Sequence, residues 1–117
     1  MTARGLELIV DQTPDQGGPG DGFRPTELLL GALGACMVGT LLTFCDNQGI
    51  EVGRVTVDLE DTPLDAPKRV GTIDVRMTID GELDDRTVET LGRVAARCKI
   101  HNTLTSRPVI DLEVYRG

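Results

Sequence analysis

Three cysteines, Cys36, Cys45 and Cys98, are the residues of this 117-residue chain with the most distinctive chemistry. A cysteine thiolate is a nucleophile and a metal ligand, and its sulfur can be oxidised reversibly. Two of the three lie in LLLGALGACMVGTLLTFC, residues 28–45, a stretch without a charged side chain. This stretch could span a membrane, lie in a protein core, or hold a reactive thiol.

Cys36 and Cys45 are nine residues apart on what is predicted to be one helix. This spacing corresponds to about half a turn of rotation and about 13.5 Å along the helix axis. A disulfide requires Cα atoms within about 7 Å, so the two cannot pair within the helix, nor can they share a metal ion. We expect Cys45, beside Phe44, to be a small buried hydrophobic residue.

Cys98 is followed by His101 in a C-x-x-H pattern, which is half of a zinc site. No second pair of ligands has a matching spacing, so we predict neither a structural metal site nor a bound cofactor. The alternative is that Cys98 lies beside Cys36 across two packed helices. The pattern alone leaves open that both are ordinary buried cysteines.

The charge-free stretch is predicted to form a helix over residues 25–47, because Pro25 suits a first turn and Gly49 a C-terminal stop. Its length permits a membrane span, but no basic cluster or aromatic belt flanks it. We therefore expect no membrane partner and a helix buried on nearly all sides. Small residues at every fourth position favour close packing against another helix or a second subunit: Gly31, Ala35 and Gly39.

Alternating apolar residues predict four strands, over residues 5–10, 53–60, 71–80 and 109–115. Helical spacing predicts a second helix that is capped by Asp84 or Asp85 and ends near Cys98, followed by a short helical turn over residues 98–104. This order of elements predicts a single α+β domain over residues 1–117. An antiparallel-dominated sheet would carry the helices on one side.

The formal net charge is −7, and no run of basic residues is longer than Lys68-Arg69. Binding to a phosphate backbone needs a concentrated basic surface, so nucleic acid is not an expected partner. The N-terminal sequence has no apolar run typical of a secretory signal, which predicts a cytoplasmic protein with reduced thiols.

Two segments resemble the OsmC/Ohr family of thiol-dependent hydroperoxide reductases. PTELLLGALGAC, residues 25–36, is similar to the family's P-x-E-L-L-x-x-A-x-x-A-C helix, and CKIHNTL, residues 98–104, to its C-P-V-H-x-T-L segment. The resemblance covers the chain from about Arg24 onward. It implies an entwined homodimer in which curved sheets wrap long central helices and each site lies at the subunit interface.

The resemblance also implies a two-cysteine peroxidase mechanism. Cys36 would be the peroxidatic thiolate, which attacks the peroxide and becomes a sulfenic acid. Cys98 would be the resolving thiol, forming a disulfide that an external dithiol reduces. An apolar lining from Leu29, Leu33, Met37 and Ile100 would favour an organic hydroperoxide as substrate.

In peroxide-reducing members, an arginine from an N-terminal hairpin pairs with the thiolate, and a glutamate after the helix-start proline holds that arginine. Here Thr26 occupies the glutamate's position, Lys99 replaces the proline after Cys98, and the hairpin is expected to be shortened. Arg4 and Arg24 are the only arginines upstream of Cys36. These differences keep two alternatives open: a dimer that binds an apolar small molecule without turnover, and a thiol redox sensor.

Overall fold

A computed structural model describes all 117 residues. The elements, in chain order, are β1 Thr2–Ala3, β2 Leu6–Glu7, α1 Pro25–Gln48, β3 Val55–Leu64, β4 Arg69–Ile79, α2 Asp85–Ala95 and α3 Lys99–Thr105. This confirms the α+β class and the antiparallel pairing. The strands form two separate two-stranded sheets, β1-β2 and β3-β4, rather than the single sheet predicted.

The bounds of α1 follow from local sequence signals. Pro25 is the first helical residue, and the Arg24 N–H donates to Glu27 Oε1 at 2.8 Å, which satisfies an amide at the helix start. Gly49 ends the helix in the left-handed conformation, with φ of 68°. The predicted range of 25–47 is therefore confirmed to within one residue.

The β3-β4 hairpin covers one side of α1. Val55 pairs with Ile79 and Leu59 with Val75, and the apolar residues of both strands face the helix. β3 approaches α1 closely at Gly34, because a Cβ there would lie 2.7 Å from Leu59 Cδ1. β3 and β4 both extend into residues 61–70, which lie between the two predicted strands.

The core lies where α2 crosses the C-terminal half of α1. Its fully buried centre consists of Leu41, Cys45, Leu91 and Ala95. Asp84 fixes the start of α2 by accepting a hydrogen bond from the Thr87 N–H at 2.8 Å, as one of the two predicted caps. Burial raises the pKa of the Cys45 thiol, so this cysteine stays protonated and packs as a small hydrophobic residue.

The predicted strand over residues 109–115 is wrong for the single chain. This segment has no regular secondary structure, and its apolar side chains are at least 81% exposed: Val109, Ile110, Leu112, Val114 and Tyr115. The alternation of side chains is the one expected of a strand. A strand also needs a hydrogen-bonding neighbour, and this segment pairs with none within the chain.

The prediction that α1 is buried on nearly all sides is also wrong for the single chain. By length and composition α1 is the one helix that could cross a membrane, and 22% of its most apolar window is buried. The predicted small-residue stripe is exposed, and a Cβ added at Gly31 or Gly39 would meet no atom within 4 Å. Neither α2 nor any other element of this chain packs on that stripe.

Candidate functional site

Cys36 lies in the middle of α1, where the start of α3 packs against that helix. Its side chain is half-buried, and the Cys36 sulfur receives hydrogen bonds from the backbone N–H groups of Ile100 and Lys99. The Cys98 side chain is a further hydrogen-bond partner of the same sulfur. The structure thus brings Cys36 and Cys98 together across two packed helices, one of the two arrangements the sequence left open.

The surroundings of Cys36 favour its thiolate form. The Ile100 N–H is the largest influence and lowers the pKa of the Cys36 thiol below its usual range, while burial opposes this. Hydrogen bonds from the Cys98 thiol, the Lys99 N–H and the Thr40 hydroxyl lower the pKa further. A thiolate is the nucleophilic form of cysteine, so Cys36 is the chain's most readily activated thiol.

The surroundings of Cys98 favour its protonated thiol form. It is the N-cap residue of α3, and its Sγ accepts a hydrogen bond from the His101 N–H at 3.2 Å. Burial raises the pKa of the Cys98 thiol, and the neighbouring Cys36 raises it further. Of the two thiols, Cys36 therefore ionises the more readily, and Cys98 is the one that keeps its proton and can donate a hydrogen bond to the Cys36 sulfur.

The local sequence around Cys98 explains why the amides point at Cys36. The first N–H groups of a helix have no partner within the helix, and they need acceptors outside it. Cys98 accepts from one of them, and Cys36 accepts from the amides of Lys99 and Ile100. Because position 99 is lysine rather than proline, it has an N–H to donate.

No arginine of this chain is among the groups that shift the pKa of Cys36. Arg24 lies at the start of α1, with Nε 3.5 Å from Glu27 Oε1. Arg4 lies in the turn between β1 and β2, with φ of 52°, and its side chain is exposed. The N-terminal segment thus forms a small hairpin, and not the single strand predicted over residues 5–10.

An apolar cavity of about 690 Å³ lies between α1, β4 and α3. The predicted residues Leu29, Leu33 and Met37 line it from α1, and Cys36 is next to Met37 in the chain. The other lining residues are Val70, Gly71, Ile73, Val75, His101, Leu104 and Thr105. Ile100 was predicted to line this cavity but does not, and its backbone N–H instead contacts Cys36.

The backbone of His101 lies near the thiols, whereas its imidazole ring makes no hydrogen bond with them. Its N–H contacts Cys98 Sγ, while the ring lines the apolar cavity and its buried Nδ1 has no hydrogen-bond partner. The C-x-x-H pattern therefore reflects a helix start, in which the third residue after the cap donates its amide to the cap side chain.

Comparisons with known proteins agree with this fold. The crystal structure of a Psychrobacter arcticus protein, named for osmotic stress induction and a detoxification response, is 27% identical with a TM-score of 0.78, over 85% of this chain and 72% of that one. An OsmC-like protein from Mycoplasma pneumoniae is 21% identical with a TM-score of 0.79, over 91% and 77%. A Legionella pneumophila OsmC, named as an organic hydroperoxide resistance protein, is 22% identical with a TM-score of 0.67, over 85% and 74%. No curated protein matches the sequence.

The family model described as OsmC-like protein matches residues 18–113, which include both thiols, the cavity and all three helices. The match extends over most of the chain, and the crystal structures share its fold. The chain therefore belongs to the OsmC-like protein family.

Proposed function

We propose that this protein is a thiol-dependent peroxidase that reduces organic hydroperoxides, with Cys36 as the peroxidatic and Cys98 as the resolving cysteine. The observation that carries the proposal is the pairing of Cys36, whose thiol pKa is lowered by nearby backbone amides, with Cys98, whose thiol pKa is raised by burial and by Cys36. A two-cysteine peroxidase requires this combination. The thiolate of one cysteine attacks the peroxide, and the second cysteine keeps its proton until it attacks the resulting sulfenic acid.

In the first step, the Cys36 thiolate attacks the terminal oxygen of the hydroperoxide and the O–O bond breaks. The alkoxide leaves and takes up a proton to become an alcohol, while Cys36 becomes a sulfenic acid. Cys98 then attacks the Cys36 sulfur, an S–S bond forms, and hydroxide leaves with the Cys98 proton as water. An external dithiol returns two electrons and two protons to regenerate both thiols.

The apolar cavity between α1, β4 and α3, which is lined in part by Met37, the residue after Cys36, supports an organic rather than a small polar peroxide. An alkyl or aryl group gains free energy by leaving water for an apolar lining, whereas hydrogen peroxide has no group to bury there. The Legionella pneumophila relative is named for resistance to organic hydroperoxides, which agrees with this substrate class.

We propose that the active unit is an entwined homodimer. Two features support it: the exposed small-residue stripe of α1, and the unpaired C-terminal segment with strand-like alternation. A second copy could cover the stripe and pair with the segment, burying apolar surface that the single chain leaves in water. The exposed Arg4 could then reach Cys36 of the other subunit.

Steady-state peroxide consumption tests the proposal. Cumene hydroperoxide and a dithiol reductant such as dihydrolipoamide are mixed with the wild type and with Cys36→Ser, Cys98→Ser and Cys45→Ser. We expect turnover in the wild type and in Cys45→Ser, none in Cys36→Ser, and loss of sustained turnover in Cys98→Ser. Equal rates in the wild type and Cys36→Ser would contradict the proposal.

A second candidate is an apolar-ligand carrier without turnover. It is favoured by the observation that the cavity holds no charged lining residue and that no guanidinium of the chain lies at Cys36. A redox sensor is a variant of the same idea, in which the disulfide forms once and is not reduced rapidly. Sustained peroxide consumption excludes both, and binding of an apolar fluorophore without consumption favours the carrier.

A further inference from the structure

The imidazole of His101 is the free polar group of the apolar cavity between α1, β4 and α3. Seven of the ten lining residues are hydrophobic, and the others are Gly71, His101 and Thr105. The Thr105 hydroxyl donates within α3, to the His101 carbonyl oxygen at 3.0 Å, so its proton is already used. The imidazole makes no hydrogen bond within the chain and is the one lining side chain whose donor is free for a ligand.

The two ring nitrogens of His101 have different surroundings. Nδ1 is buried without a hydrogen-bond partner, and no other side-chain nitrogen or oxygen of the chain is in this situation. Nε2 is therefore the nitrogen that remains accessible. A neutral imidazole carries its proton on one nitrogen and a lone pair on the other. Buried N–H groups without an acceptor are rarer than buried acceptors without a donor, which favours the proton on Nε2.

Packing does not explain why position 101 is a histidine. A buried polar atom without a partner costs free energy, whereas a phenylalanine ring would line the cavity without this cost. The start of α3 does not require a histidine either. The backbone N–H that donates to Cys98 Sγ is present in every residue except proline. A ligand that uses Nε2 accounts for the imidazole.

We propose that His101 is a binding residue of this cavity, whose Nε2–H donates a hydrogen bond to the carbon-bound oxygen of an organic hydroperoxide. The apolar body of the substrate then lies against the lining residues of α1 and β4. This inference deepens the proposed function, because it rests on the cavity being the substrate site. The carbon-bound oxygen is the acceptor because the terminal oxygen must stay open to attack by Cys36. The alcohol product keeps that oxygen and should bind in the same way.

The test compares two probes of the same shape, cumyl alcohol and cumene, of which only the alcohol has an oxygen. Their dissociation constants are measured without peroxide or reductant, from shifts of the cavity methyl signals in proton–carbon spectra. Removing the donor should shift the ratio of the two constants about fivefold in favour of cumene. We expect this shift in His101→Phe, and in His101→Leu should the phenylalanine protein fail to fold. His101→Gln retains a side-chain N–H and should keep the wild-type ratio.

Thr105→Val is the matched control, because it removes the other polar side chain of the lining and should keep the wild-type ratio. Stability is a second readout, measured by denaturant unfolding. His101→Phe should unfold at the same or a higher denaturant concentration than the wild type, because it replaces a buried nitrogen that has no partner. A histidine that served packing alone would give a loss of stability instead.

The tautomer can be observed directly, because His101 is the only histidine of the chain. Nitrogen-15 spectra of histidine-labelled protein should show the proton on Nε2, and the Nε2 signal should move with cumyl alcohol and stay in place with cumene. A proton on Nδ1, an unchanged ratio in His101→Phe, or a ratio that shifts in Thr105→Val would overturn the inference. Peroxide turnover together with such a result would leave the proposed function standing. An imidazole-dependent ratio without turnover would overturn the peroxidase and leave the binding role of His101 standing.

Discussion

At the scale of single residues, the reactivity of Cys36 depends on backbone donors that the side chain at position 99 controls. Lys99 is the first residue of α3, where proline is well tolerated, and Cys98 before it already has the extended conformation, with φ of −68° and ψ of 152°, that a proline requires. Lys99→Pro should therefore remove one N–H donor to the Cys36 sulfur without unfolding α3. We expect the pKa of Cys36 to rise, because the thiolate loses a hydrogen bond, so the onset of its reactivity moves to higher pH.

Lys99→Ala is the control for this substitution, since it removes the ammonium group and keeps the N–H. Thiol alkylation rates followed as a function of pH would distinguish the two variants. The rate of each depends on the thiolate fraction, which grows as pH rises towards the pKa. If the lysine charge were the important feature, alanine would be as harmful as proline, and the amide account would be wrong.

At the scale of elements, α2 holds α1 in the position that the site requires. Leu91 of α2 is fully buried against Leu41 and Cys45 of α1, whereas Val88 on the same helix is 43% exposed. We expect Leu91→Ala to lower the free energy of unfolding by about 2–5 kcal/mol, because it removes buried apolar area and leaves a cavity. Val88→Ala should have a much smaller effect.

Denaturant unfolding followed by circular dichroism would measure both variants. The protein concentration is held constant, since association would add to apparent stability. Similar losses for the two variants would contradict the described packing of α2 on α1.

The elements also show which features a sequence can reveal. Pro25 and Gly49 are local signals, and they defined α1 almost to the residue. The pairing of Cys36 with Cys98 could be anticipated as an alternative because both lie on packed helices. The role of the Lys99 and Ile100 amides could not be predicted from the sequence. Every non-proline residue has an N–H group, and only the fold determines which of these groups lie near a sulfur. Thr40 could have been noticed from its spacing, four residues after Cys36.

At the scale of the whole molecule, one chain leaves too much apolar surface exposed. Residues 109–115 have the pattern of a strand without a neighbour, and the small-residue stripe of α1 has no covering element. The pattern of a segment indicates which secondary structure it can form. The strand or helix that it must pair with or pack against can belong to another chain. The proposed dimer would account for the last predicted strand and the predicted burial of α1, neither of which is met within the single chain.

Gly31→Arg tests the proposed dimer. Gly31 is exposed on α1 with open space around its Cα, so the single chain accommodates the arginine, whereas a close helix contact between subunits does not. Sedimentation analysis should show twice the chain mass for the wild type and a shift towards the monomer for Gly31→Arg. Gly92→Arg on α2 is the control, since Gly92 has equally open surroundings. A wild type that sediments as a monomer would contradict the dimer.

The central claim, that Cys36 and Cys98 form a working pair, is tested most directly by one equivalent of cumene hydroperoxide added to the fully reduced protein. Free thiols are then counted, and the disulfide is located by peptide mass spectrometry. We predict the loss of two of the three thiols, with a disulfide between Cys36 and Cys98 and a free Cys45. Three unchanged thiols, or a Cys36 oxidised beyond the sulfenic acid beside a free Cys98, would contradict it.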